Sequence, residues 1–248
     1  MWASRVWRDF VEARYDEGMD KRVVVITGAA GGVGRQLVRR WLDAGARVVG
    51  VDRSANGLAA LGSSDRLATV MGEGMTEDGA LAIVAATREA FGAPDTLIHT
   101  VGGFAMGPVS GDEAAKQWDL MMALNATSNF HCYRAMLPAL RERGGGWLVG
   151  IASRAAVHPT ANIAAYAASK AALVALTQAL ADEVRKENIH VNVLLASTID
   201  TPANRAAMGE KSAANWVTPD DIADATLFLC SDQARAVHGA TLEVYGKA

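Results

Sequence analysis

The 248 residues are half hydrophobic and 21% charged, with a net charge of −3 at neutral pH. That balance suits one α/β domain with a full core, and without a basic cluster it excludes nucleic acid as an expected partner. Two cysteines with no C-x-x-C spacing predict buried, reduced thiols in a cytoplasmic protein; five scattered histidines predict no metal site, and no uninterrupted apolar run predicts a membrane span.

Residues 1–20 mix aromatic and charged side chains and lack the apolar centre of a signal peptide. They are expected to form a peripheral extension, as a short amphipathic helix or an overhang, ahead of a catalytic domain over 21–248. The run Arg22-Val-Val-Val-Ile-Thr is too short for a helix and rich in β-branched residues, the pattern of a strand buried on both faces of a parallel sheet. It leads into Gly28-Ala-Ala-Gly-Gly-Val-Gly34 and a helix predicted from Arg35 to Ala44. Strand, glycine-rich turn and helix together describe a dinucleotide-phosphate site. Gly28 permits the tight turn, Gly32 and Val33 lie where backbone approaches pyrophosphate, and Gly34 allows close helix packing.

The second strand, from Arg47, ends at Asp52, where a carboxylate accepts hydrogen bonds from ribose hydroxyls and repels a 2′-phosphate. NAD is therefore favoured, with NADP kept open because Arg53 follows and offsets part of that repulsion. The alternation then continues through a strand at 67–71, a helix at 77–91 and a strand from Thr96 into Val101-Gly102. A long helical stretch, 114–143, contains Asn125 and is expected to kink at Pro138. Strands over 147–152, 189–196 and 237–245 follow, with a looser segment from Asp200 to Trp216 and a helix start at Thr218-Pro-Asp-Asp. No repeat or linker breaks the series, which predicts a single-domain, doubly wound parallel sheet of Rossmann type with helices on both faces.

Between the fifth and sixth strands lie Ser153, Tyr166 and Lys170. Tyr166 and Lys170 are four residues apart on a predicted helix, so the phenol and the ammonium share a face. A nearby cation favours the phenolate and is expected to draw the tyrosine pKa down from about 10 toward the working range of a general acid/base. Ser153, at a strand end, is placed to donate a hydrogen bond to a substrate oxygen.

These features in this order resemble the short-chain dehydrogenase/reductase family from about Lys21 to Gly246. Thr27, Gly28, Gly32 and Gly34 match its Thr-Gly-x-x-x-Gly-x-Gly turn; Ser153, Tyr166 and Lys170 match its active-site pattern, and Asn125 its helix asparagine. The resemblance implies hydride transfer between a nicotinamide cofactor and a small carbonyl or alcohol. It makes Tyr166 the proton carrier and Ser153 the group that holds the reacting oxygen. Lys170 tunes the tyrosine and binds the nicotinamide ribose, and Asn125 holds a water linking Lys170 to solvent. Gly102, Ile199 and Thr201 match further cofactor contacts. The resemblance also implies a homo-oligomer, a tetramer paired through the two long helices.

Three departures stand out. His99-Thr-Val-Gly102 replaces the family's Asn-Asn-Ala-Gly, with His99 read as a structural strand-end residue. Ala196-Ser197 replaces Pro-Gly and is expected to alter the nicotinamide end, and Gly74 replaces an aspartate that reads adenine. Val101-Gly-Gly-Phe, Thr198-Ile-Asp-Thr-Pro-Ala-Asn-Arg and Asn215-Trp-Val-Thr-Pro resemble the dihydropteridine-reductase-like branch. Phe104, Met106, His158, Met208 and Trp216 are the candidate substrate pocket, mainly apolar. The competing reading is a nucleotide-binding scaffold without turnover.

Overall fold

The computed structural model describes residues 18–247, so nearly all of the predicted extension lies outside the described residues. Met19, assigned to that extension, is buried against the core. Seven parallel strands form the sheet: β1 Val23–Thr27, β2 Arg47–Asp52, β3 Leu67–Met71, β4 Thr96–His99, β5 Gly146–Ser153, β6 Ile189–Ala196 and β7 Thr241–Val244. Their order across the sheet is β3-β2-β1-β4-β5-β6-β7. Every residue of β1, β4 and β6 is buried; β1 accordingly reads as a continuous apolar run, whereas β4 and β6 bury the polar His99, His190 and Asn192 among their apolar residues.

Helices cover both faces. On one, α1 (Gly32–Asp43) and α8 (Pro219–Leu229) bury Leu37, Val38, Trp41, Ile222 and Leu227. On the other, α3 (Glu77–Phe91), α5 (Ser128–Arg143) and α6 (Ala164–Glu183) bury Ile83, Tyr133, Met136, Leu173 and Leu180. A short helix, α2 (Ala55–Ala59), follows β2. The capping box at Thr218, whose hydroxyl takes the Asp221 N–H while the Asp221 carboxylate takes the Thr218 N–H, starts α8 where the Thr-Pro-Asp-Asp signal places it. By length and composition α6 could cross a membrane, yet it packs on β5 and β6 and carries the buried Lys170, as a core helix does.

The largest difference from the sequence reading is in 114–143. It is not one continuous α-helix but α4 (Ala114–Met122), a π-turn over Ala123–Thr127, and α5, whose helical span includes Pro138. In the π-turn the Ser128 N–H bonds the Ala123 carbonyl, one residue further back than an α-helix allows. The looser segment contains α7 (Pro202–Met208), capped by the Thr201 hydroxyl, and α1 begins at Gly32, three residues earlier than predicted.

At the amino ends of the strands the Arg22 guanidinium lies 3.4 Å over the Trp147 ring. Trp147 stacks on His190, and His190 lies 4.5 Å from the His238 ring. Burial lowers the pKa of both histidines, and it holds His99, in the sheet interior, down to about 3. A histidine whose folded pKa is lowered binds fewer protons folded than unfolded. Its contribution is complete above about 6.5 and is lost as pH falls through the gap. For His99 that loss runs at roughly 1.4 kcal/mol per pH unit from about 6.5 toward 3. Asp95, raised by burial, offsets a part at acid pH. The melting temperature is therefore expected to fall progressively below pH 6.5 in calorimetric scans; a flat profile from pH 6.5 to 4 would contradict this account of the buried histidines.

Candidate active site

The strand order reverses at β1 and β4, and the carboxyl ends of these strands flank a crevice, the usual ligand position in such sheets. Here a cleft of about 770 Å³ opens. Gly28 adopts φ +70, and a β-carbon there would lie 2.5 Å from the Thr100 hydroxyl. At Gly34 a β-carbon would lie 2.0 Å from the Gly28 carbonyl oxygen, so the turn closes on its own helix only because both are glycine. Gly31 caps α1 with no side-chain hydrogen bond, and the N–H groups of the first turn, along a wall lined by Gly31 to Gly34, are available to an anion.

Asp52 and Arg53 line the same cleft. The Asp52 carboxylate accepts from the Ala30 N–H at 3.0 Å and the Ser54 N–H at 2.9 Å, which fixes it at the rim of the turn. Thr201 faces Gly32 across the cleft, 3.0 Å from where a β-carbon would stand. Ile199 packs toward the second core cluster, and its carbonyl accepts from the Asn204 amide at 2.7 Å. The sequence reading did not single out Ala30, Arg35, Glu73, Met75, Thr100 or Leu124, all of which line the cleft. Arg35 had a signal, standing next to Gly34; Leu124 had none.

Gly74 is on the adenine-side wall implied by the resemblance. A β-carbon there would be 2.2 Å from the Cys132 sulfur, so the buried thiol of α5 excludes an aspartate from this position. Ser197, in the Ala196-Ser197 pair that replaces Pro-Gly, is tied to the last strand. Its hydroxyl donates to the Tyr245 carbonyl at 2.9 Å and its N–H to Val244, tying β6 to the chain beyond β7.

At the other end of the cleft Gly102 meets a polar cluster. A β-carbon there would lie 2.8 Å from Asn125 Oδ1 and 3.1 Å from Lys170 Nζ. Asn125, in the π-turn, accepts from the Gly103 N–H at 2.9 Å and donates to the Gly103 carbonyl at 3.1 Å and to Ser169 Oγ at 3.0 Å. Its amide N–H groups are thus taken by protein, and only the second lone pair of Oδ1 is left to hold a water. Ser153, the last residue of β5, accepts from the Ala155 N–H at 3.2 Å and hydrogen-bonds Tyr166. Phe104 stands edge-on to the Tyr166 ring at 4.9 Å. Met106, His158 and Met208 are exposed near the loop ends, and Trp216 is half-buried beside Gly246.

One expectation is corrected here. Burial raises the Tyr166 pKa, with the Ser153 hydrogen bond opposing it, rather than Lys170 drawing it down. The Lys170 ammonium instead donates to the Ile151 carbonyl at 2.8 Å, and burial pushes its own pKa down to about 8. Tyr166 and Lys170 lie four residues apart on α6, and desolvation is the largest effect on both.

The model of the short chain dehydrogenase family matches residues 22–211. The chain belongs to the short-chain dehydrogenase family. It is 29% identical to D-threitol dehydrogenase of Mycolicibacterium smegmatis, covering 94% of each chain. It is 31% identical to 2-(R)-hydroxypropyl-CoM dehydrogenase of Xanthobacter autotrophicus, over 91% of this chain and 97% of that one. Among solved structures, a Brucella melitensis 3-ketoacyl-(acyl-carrier-protein) reductase complexed with NADH superposes with a TM-score of 0.81 at 29% identity, covering 92% and 98%. As a short-chain dehydrogenase, this protein is an NAD(P)-dependent oxidoreductase on a single Rossmann-type domain.

Proposed function

We propose that this short-chain dehydrogenase reduces or oxidises a small, fairly apolar carbonyl/alcohol pair with NAD, using Tyr166, Ser153, Lys170 and Asn125. The observation that carries the reading is Gly102, which joins the phosphate-binding cleft to the Asn125–Lys170 cluster with no room for a side chain. The bound nicotinamide supplies or takes the hydride. This chain's residues handle the proton and the geometry. The Tyr166 phenol, its pKa raised by burial with the Ser153 hydrogen bond opposing, is suited to exchange its proton with the carbonyl or alcohol oxygen. The Ser153 hydroxyl, fixed by the Ala155 N–H, holds the same oxygen. Lys170 keeps a positive charge beside the site below about pH 8. Asn125 holds the Gly103 backbone on the opposite wall. Phe104 shields one edge of the phenol, and with Met106, Met208 and Trp216 it offers an apolar lining to the substrate.

The Asp52 carboxylate supports NAD over NADP, because its fixed negative charge stands beside the ribose position and would repel a 2′-phosphate. Asp52→Ala is expected to weaken NADH about tenfold in calorimetric titrations and to strengthen NADPH relative to it. Tighter binding of NADPH by the unaltered protein would mean that Arg35 and Arg53 outweigh Asp52.

Trp118 and Leu120 on α4 and Phe130 on α5 are about half exposed, apolar surface that supports pairing of these helices in a homo-oligomer, a tetramer by resemblance. A monomeric mass by light scattering would reject that assembly. Two buried cysteines, both with raised pKa, fit a cytoplasmic protein with unreactive thiols. The dihydropteridine-reductase-like branch remains a narrower reading carried by Val101-Gly-Gly-Phe and the 198–205 segment; the relatives named above carry other substrates in their names.

A further inference from the structure

We propose that His99 is a positioning residue that sets the π-turn carrying Asn125, acting through the Ser128 hydroxyl. His99 closes β4 in the sheet interior, where it is fully buried. One ring nitrogen, Nε2, lies 3.0 Å from Ser128 Oγ, and the other, Nδ1, 2.9 Å from Thr27 Oγ1. The direction of each bond follows from counting protons. Ser128 spends its only hydroxyl proton on the Leu124 carbonyl, at 2.6 Å. It can therefore only accept from His99, so Nε2 carries the ring proton. Nδ1 is then an acceptor, and Thr27 donates to it. The buried ring is neutral and needs no other partner.

The donations thus run from Thr27 to His99 to Ser128 to the Leu124 carbonyl, in one direction only. They start at the residue that opens the glycine turn and end one residue before Asn125. The last link matters because the π-turn diverts the Ser128 N–H to Ala123. The hydroxyl then serves the Leu124 carbonyl, and Asn129 likewise donates its side-chain amide to the Asn125 carbonyl at 3.0 Å. Two side chains therefore hold the widened turn, and His99 fixes the orientation of one of them. With the turn in place, the Asn125 amide reaches Gly103 and Ser169 together. A uniform α-helix would rotate it out of that register.

The functional half of this inference rests on the proposed role of Asn125, so the test separates the two. His99→Met, His99→Gln, Ser128→Ala, the His99→Met/Ser128→Ala double variant and Asn125→Ala are prepared in the full chain; each is measured for kcat, KM and NADH affinity, and all but Asn125→Ala also for the side-chain amide resonance of Asn125. His99→Met and Ser128→Ala are expected to lower kcat by about ten- to a hundredfold, as a misplacement near 1 Å does, with NADH affinity within about twofold. The double variant should be no slower than the slower single one. His99→Gln, whose amide can donate to Ser128 and accept from Thr27, should recover most of the loss. The Asn125 resonance should shift in His99→Met and Ser128→Ala alike. An unmoved resonance, multiplying single effects, or His99→Gln as slow as His99→Met would overturn the proposal. If the resonance shifts while Asn125→Ala turns over normally, positioning stands and the catalytic reading of Asn125 falls. Ser128→Ala removes one oxygen atom, so it reports even if His99→Met fails to fold.

Discussion

Tyr166→Phe should lower turnover by roughly 10²- to 10⁴-fold while leaving NADH affinity within about twofold. The substitution removes one oxygen and keeps the ring, so the edge-on contact with Phe104 and the packing of α6 on β5 are retained. The only loss is the proton that a developing alkoxide must receive, together with the partner of the Ser153 hydroxyl. Rates on the best substrate from a panel of small ketones and secondary alcohols, with dinucleotide binding measured in parallel, read both quantities. Turnover unchanged by the variant would remove the tyrosine from proton transfer. No turnover by the unaltered protein on any such panel, with NADH bound, would favour a nucleotide-binding scaffold.

Gly34→Ala should have the opposite signature, with cofactor binding lost first. The added methyl group would stand 2.0 Å from the Gly28 carbonyl oxygen and 2.8 Å from the Ala29 Cα, backbone atoms that no rotamer change can move aside. Either the turn opens or α1 shifts outward, and both displace the N–H groups that meet phosphate. NADH affinity is expected to fall by at least about a hundredfold, and stability by about 1–3 kcal/mol, the usual cost of overpacking. A variant that binds NADH normally would show that the turn is not the phosphate cradle.

Much of the fold was legible because its signals are local. β1 is buried along its whole length, so burial itself wrote its unbroken run of Val and Ile. The glycine turn was legible because close approach admits one residue type, and the Thr218 cap because it is closed within four residues. What was not legible depends on contacts between distant parts. No local signal in 114–143 marks the π-turn at Ala123–Thr127; the Ser128 hydroxyl that bonds Leu124 there is itself met by His99, 29 residues earlier. The sign of the Tyr166 shift was misjudged for the same reason. A spacing of four puts the two residues on one helix face, but how deeply the fold buries them, and that the ammonium turns to Ile151, are tertiary facts. Gly74 could be noticed as a departure; that Cys132 forces it needed the packing of α5 beneath the cleft.

The measurement closest to the central claim is a calorimetric titration of the unaltered protein with NADH and, separately, NADPH. One dinucleotide per chain, with NADH the tighter, is the predicted result, since the cleft, the free N–H groups of α1 and the Asp52 carboxylate are all in place. No saturable binding of either dinucleotide would contradict the account, because every step assigned to Tyr166, Ser153 and Lys170 assumes a nicotinamide held beside Gly102.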